Sequence, residues 1–392
     1  MYFLLIISIL TIILVIYLNK KYLIKEFPKV SINSLKRFKN YDYYLGWEPK
    51  KNESFENVYS YKKLKKKYFI NFDGSRTQPQ ITKFKKNIFI QTFGDSTTFC
   101  NDVEQNETFQ SFLESNHGIG PVKNFGVGNY GIDQSLLRAK KKIKKNNKYK
   151  KKVSILFLPL DSIERVGSVY KHYLEFNNIF GIKPRFLVKK NKLILIRRPF
   201  KNKNDLLNLK KYKNYFHKYD DFKDFFYESV ILYKENKFEL IFLQKQILFL
   251  FLNKIFNKFL YYLTGKLNDD FLTERKKNNY QKIWNEKIND WCLIAALIVK
   301  EFFDHSKKNL NIPIFIISPQ GRFYNNINNY KLILKIFSQQ LKKNNVEYFD
   351  FYPYLKKNDG KKSNANKIHL NKYGNALLAK FIRKILLKKG LI

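Results

Sequence analysis

The chain is poor in the residues that staple or interrupt a fold. It has two cysteines, Cys100 and Cys292, in 392 residues. A Cys-stapled mini-protein is therefore excluded, and the pair shows no metal-type spacing. Whether the two pair, and hence the redox compartment, is open at this level. Glycine (15) and proline (10) are too few for a collagen or a low-complexity chain. Acidic residues are scarce as well: 32 against 75 basic ones, a formal charge of +43. Only ten of the basic residues are Arg, the type suited to bidentate phosphate and base contacts. Lys is spread through every segment beside abundant Asn, Ile, Phe and Tyr, the usage of an A+T-biased coding sequence. No nucleic-acid motif accompanies the charge, so no specific nucleic-acid partner is expected.

What is present is core-forming material. The hydrophobic fraction is 44% and the aromatic fraction 17%, with 37 Phe and 27 Tyr. A chain of this length forms two to three domains or one large α/β domain with insertions.

Tyr2 to Leu18 is an unbroken apolar to weakly polar run followed by Asn19, Lys20 and Lys21. It predicts a single membrane anchor over residues 1–19, at the short end of a spanning helix. No basic stretch precedes it and no small-residue cleavage site follows, which disfavours a cleaved signal. Lys is so common downstream that the side of the membrane on which the body lies is not fixed.

Residues 20–85 read as a polar lead-in holding Leu45-Gly46-Trp47 and the turn signal Gly74-Ser75-Arg76. From residue 86 the pattern alternates. Strands are predicted at Ile88–Phe93, Val122–Phe125, Val153–Leu158, Ile312–Ile317 and Val346–Phe351. Helices are predicted at Glu107–Glu114, Asp133–Lys144, Ile283–Phe303, Tyr330–Lys342 and Lys372–Leu387. Such alternation implies a parallel sheet with helices on both faces, built from 86–164 and 283–392. Residues 165–282 are too long for a connection and are expected to form a mostly helical insertion or cap lobe. Within them the apolar stretch Phe238–Leu263 is broken by Lys245, Lys254 and Lys258, which favours an amphipathic helix over a second span.

Ligands collect beyond the carboxyl ends of the strands in such a sheet. The first strand ends in Phe93-Gly94-Asp95-Ser96. Gly94 allows a sharp turn, and a serine opening the next helix can expose its hydroxyl while its own N–H faces the same spot. His369, in Ile368-His369-Leu370-Asn371 just before the last helix, is the candidate general base. His117, His217 and His305 read as surface residues. The glycine-rich Asn124-Phe125-Gly126-Val127-Gly128-Asn129 after the second strand suits an oxyanion hole. It lacks the Lys-Ser/Thr of a phosphate loop and the spacing of a dinucleotide fingerprint.

With these blocks in place the chain resembles the SGNH (GDSL-type) hydrolase superfamily, in particular its membrane-anchored bacterial members. The resemblance covers roughly residues 87–388 apart from the insertion. It implies a flavodoxin-like three-layer α/β sandwich, with Ser96 as nucleophile, His369 as base, and backbone N–H groups of Ser96, Gly128 and Asn129 around the oxyanion. The implied substrate is an acylated small molecule or glycan, with no cofactor and no metal.

Three positions depart from the family pattern. Asn366 stands where the family has an acid, so Asn366 itself, Asp350, Asp359 or a backbone carbonyl is expected behind His369. Asn129 replaces a glycine. Leu160 replaces the asparagine whose side chain completes the oxyanion hole, which leaves the side chains of Asn129 and Ser162 as candidate donors. Asp95, Asn124, Ser162, Arg165 and His172 are candidate substrate contacts, and the rival to catalysis is a degenerate glycan-binding protein.

Overall fold

The structure, a computed structural model, describes residues 25–57, 66–76, 84–145, 148–229, 270–319, 327–358, 360–363 and 369–392. The run Tyr2–Leu18, the stretch Phe238–Leu263, Asp359 and Asn366 lie outside them. Among the described residues no helix is long and apolar enough to cross a membrane.

The central sheet has five strands: β1 (Lys86–Gly94), β2 (Ile119–Asn124), β3 (Lys152–Pro159), β4 (Ile312–Ser318) and β5 (Phe349–Asp350). They run parallel in the spatial order β2-β1-β3-β4-β5. That is the flavodoxin-like order, with its switch point where the chain passes from β2 across β1 to β3. The helices that position the site are α1 (Ser96–Phe99), α2 (Phe109–Ser115), α3 (Ile132–Lys142), α4 (Asp270–Lys308), α5 (Ile327–Lys343) and α6 (Lys372–Lys388).

The sheet is covered on both faces, which is why its strands read as continuous apolar runs rather than alternating ones. Along β3 every residue is buried. Leu156 and Leu158 join Phe93, Phe315 and Ile317 in the core under α3, α4 and α5. Val153, Ile155 and Phe157 join Ile88, Ile90, Ile314 and Ile316 in a second core under α2 and α6. The period of two sorts one strand's apolar residues into two cores.

Helix and strand bounds differ modestly from the sequence expectation, except at two places. The helix expected over Ile283–Phe303 begins much earlier, at Asp270. The last strand, expected over Val346–Phe351, shrinks to Phe349–Asp350, an edge held by register to Ile316 and Ile317.

The described part of 165–282 is less helical than expected. It carries an antiparallel hairpin, Arg185–Lys189 with Lys192–Ile196, among short helices. Two of its basic residues face inward: Lys183 pairs with Asp133, both fully buried, and Arg185 reaches Asp221 at 3.0 Å. His217, expected at the surface, is half-buried with its Nε2 2.6 Å from Glu26 Oε1.

The lead-in is not a loose linker. A short antiparallel pair, Tyr41–Asp42 with Gly46–Trp47, docks on the start of α3, where Gln134 Nε2 donates to the Leu45 carbonyl at 2.7 Å. Gly46 is required there: its φ is +97°, and a Cβ would lie 2.4 Å from the Ile182 carbonyl oxygen. Two residues on, Glu48 receives Arg138 Nη1 at 2.6 Å and Lys141 Nζ at 2.8 Å. Burial opposes ionisation of Glu48, but Arg138 and Lys141 outweigh it and bring the carboxyl down to about 2.

A carboxyl with a depressed value in the fold stabilises it fully above the ordinary value and progressively less as pH falls toward the depressed one. Glu48 therefore ties down the lead-in at neutral pH and loosens it between about pH 5 and about pH 2. Thermal melts across that window should show a steeper loss of midpoint in the wild type than in Glu48→Gln, which lacks this titration.

Candidate active site

Three side chains meet at the carboxyl end of β1. Ser96 opens α1, and its Oγ lies 2.8 Å from His369 Nε2. The other ring nitrogen, Nδ1, lies 2.8 Å from Asp102 Oδ2. Ser96 and His369 were paired in the sequence expectation; Asp102 was not. His369 and Asp102 are largely buried, their side chains 14% and 9% exposed, so the chain of hydrogen bonds is shielded along most of its length.

Local structure explains each placement. Gly94, with a φ of +157°, lets the chain turn off the end of β1. A Cβ there would lie 2.1 Å from both the Phe157 carbonyl oxygen and Thr98 Oγ1. Asp95 then caps α1, its Oδ1 accepting from the Thr97 N–H at 2.8 Å. The Ser96 N–H, in the first turn, has no intrahelical acceptor. His369 sits two residues ahead of the Asn371 cap of α6. Gly374 lets that helix approach closely, since a Cβ would come within 2.2 Å of the Ser363 carbonyl oxygen.

Asp102 lies on the loop that follows α1, six residues beyond Ser96 in the sequence. That loop is gripped by Arg76 of the lead-in, whose guanidinium is 1% exposed. Arg76 Nη1 donates to the carbonyls of Phe99 (2.8 Å) and Cys100 (2.6 Å), and Nη2 to that of Val103 (2.8 Å). The ring of Tyr68 flanks the guanidinium at 4.7 Å. The carbonyls on both sides of Asp102 are thus fixed by one planar group. The expectation for the group behind His369 is corrected accordingly. Asp350 is engaged elsewhere, accepting from the Tyr330 hydroxyl at 2.5 Å and the Tyr352 N–H at 2.9 Å, while Asn366 and Asp359 fall outside the described residues.

The glycine-rich loop after β2 runs beside the turn. Val127 N–H donates to the Gly94 carbonyl at 3.1 Å, and a Cβ on Gly126 would strike the Phe99 nitrogen at 2.4 Å, so only glycine permits this approach. Asn129 adopts the left-handed conformation, φ 65°, which asparagine tolerates better than most residues. Its N–H donates to no described acceptor. Its side chain is committed: Nδ2 donates to Glu175 Oε2 at 3.0 Å, and Oδ1 accepts from Lys171 Nζ. Burial brings the Lys171 ammonium down to about 8 against the pull of Glu175. The Gly128 carbonyl accepts from Trp47 Nε1 at 3.1 Å.

The expected substrate contacts turn out to be framework. Asp95 is 1% exposed and its Oδ2 accepts from Arg165 Nη1 at 3.0 Å. Arg165 Nη1 also donates to the Tyr130 carbonyl at 2.8 Å. Asn124 is fully buried, its Oδ1 accepting from the Gly126 N–H at 3.0 Å. Ser162, also buried, donates to the Pro159 carbonyl at 2.8 Å, which removes it as an oxyanion donor. His172 is buried in the lobe, its Nε2 2.8 Å from the Lys25 carbonyl and its Nδ1 accepting from the Asn177 N–H. Leu160 is 1% exposed and packs in the core. Among the described residues there is no cluster of metal-ligating side chains.

A scan against protein-family models gives no match, and neither does a comparison with curated proteins. Among solved structures a similar chain is a member of the lipolytic protein G-D-S-L family from Veillonella parvula, at 11% identity over 76% of this chain and 98% of that one, with a TM-score of 0.34. A superposition that loose says nothing about activity, which has to be judged from the residues themselves.

Arg76→Lys keeps a charge but loses the planar fork and leaves carbonyls of the Asp102 loop unsatisfied. It should lower unfolding free energy by about 2–3 kcal/mol, measured by urea denaturation, with the Asp102 loop becoming more accessible to hydrogen exchange.

Proposed function

We propose that this chain is a serine ester hydrolase of the SGNH/GDSL type, acting on O-acyl groups of a carbohydrate or another acylated small molecule. The observation that carries the reading is the continuous line from Ser96 Oγ through the His369 ring to Asp102, with both links at 2.8 Å. A hydroxyl held by an imidazole that is held in turn by a carboxylate is the arrangement of an activated nucleophile.

In this reading His369 Nε2 takes the Ser96 proton as Oγ attacks the acyl carbonyl. The oxyanion that forms is met by the N–H groups of Ser96 and Asn129. His369 then gives its proton to the departing alcohol. Water, or a sugar hydroxyl in a transferase, attacks the acyl-enzyme by the same route in reverse. Asp102 keeps the Nδ1 proton in place and offsets the imidazolium charge. The glycan preference and a membrane-anchored setting are supported by the sequence resemblance and by the apolar run Tyr2–Leu18.

One observation favours the rival, a glycan-binding protein that has lost catalysis: Leu160 leaves the family's side-chain oxyanion donor absent. A missing donor of that kind typically costs about 2.7–4 kcal/mol of barrier. That slows a hydrolase without abolishing it, and the complete Ser96–His369–Asp102 line favours catalysis.

A fluorophosphonate probe should label the wild type at one site, with labelling abolished in Ser96→Ala. A folded wild type that never labels would favour the binding protein. On an activated aryl ester, Asp102→Asn should lower kcat about 10⁴-fold with little change in KM, because the amide holds the wrong tautomer of His369. Asn366→Ala, by contrast, should retain near wild-type kcat.

A further inference from the structure

The peptide that would supply the second oxyanion donor is held on both sides by side chains from outside the oxyanion loop. The Asn129 N–H belongs to the Gly128–Asn129 peptide, which is trans. In a planar trans peptide the carbonyl and the N–H point in opposite directions, so fixing one fixes the other. The Gly128 carbonyl is fixed by the indole N–H of Trp47, at 3.1 Å across 81 residues of sequence. Beyond Asn129, the Tyr130 carbonyl is fixed by Arg165 Nη1 at 2.8 Å, and the same nitrogen holds Asp95, the residue before Ser96, at 3.0 Å.

Trp47 is itself anchored. The Tyr130 hydroxyl donates to the Trp47 carbonyl at 2.5 Å, and the two rings meet edge to face with centroids 5.6 Å apart. Gly46 brings this residue into place by its positive φ and its contact with Ile182.

We propose that Trp47 and Arg165 are positioning residues for the oxyanion hole: Trp47 aims the Asn129 N–H, and Arg165 sets the spacing between the Asn129 peptide and the Ser96 turn. This rests on the hydrolase reading above. It also accounts for how a site with leucine at position 160 stabilises an oxyanion. With one donor fewer, the remaining two backbone donors must be held in position before the reaction, since donors that are already oriented cost no reorganisation as charge develops. A hydrogen bond to the Gly128 carbonyl also polarises the peptide and strengthens its N–H as a donor.

The test is Trp47→Phe, which keeps an aromatic ring against Tyr130 while removing the indole N–H together with part of the bicyclic ring. With an activated aryl ester, kcat should fall about tenfold to a hundredfold while KM stays within about twofold. Affinity for a boronate that forms a tetrahedral Ser96 adduct should fall by the same factor as kcat/KM. Trp47→His, which restores a ring N–H, should recover part of the loss.

A folded Trp47→Phe with wild-type kcat and boronate affinity overturns the proposal. So does a loss confined to KM. Should melting show that Trp47→Phe does not fold, the same measurements on Arg165→Lys decide: a kcat loss with unchanged KM supports the proposal and wild-type kinetics overturn it. A wild type that neither labels with fluorophosphonate nor hydrolyses the ester fails at the earlier step and removes the hydrolase reading itself.

Discussion

The site depends on one imidazole being held from both sides. His369 reaches Ser96 and Asp102 at 2.8 Å each, and a hydrogen bond of that length weakens steeply once donor and acceptor misalign. Ser96 and Asp102 come from the same short stretch, six residues apart, while His369 arrives from the far end of the chain. The parallel sheet makes the meeting possible: it delivers the end of β1 and the entrance to α6 to one rim.

Placing the carboxylate six residues after the serine, rather than three before the histidine, changes what the fold must hold still. The loop after α1 becomes part of the site, and loops are the mobile part of a fold unless they are tied. Arg76 ties this one through the carbonyls on both sides of Asp102. Trp47 likewise holds the loop after β2, through the Gly128 carbonyl. Both residues lie in the segment before β1, where composition suggested only a polar lead-in. That segment is an integral part of the site's framework, and its docking by Glu48, Arg138 and Gln134 belongs with the site's geometry.

Much of this was legible in the sequence. The strands of the sheet stand out as apolar runs because both faces are covered, and the helices between them announced a parallel order. Ser96 and His369 could be paired because each occupies the one kind of position, a strand end and a helix entrance, where such a sheet gathers ligands. Asp102 was not legible: an aspartate in a polar loop carries no spacing signal, and its role depends on where the loop is pulled. The expected substrate contacts failed for a related reason. Asp95, Asn124, Ser162 and His172 are polar residues near the motifs, but buried backbone groups there need partners, and these side chains supply them.

By itself the sequence determined the alternation of elements, the turn at Gly94, the serine that opens α1 and the glycine-bearing loop beside it, since these follow from local periodicity and backbone freedom. Only the tertiary structure decided which carboxylate stands behind His369, and which side chains hold the Asn129 peptide. Those choices are made by contacts between residues 35 to 267 positions apart, and no local pattern encodes which distant group will fill a given hydrogen bond.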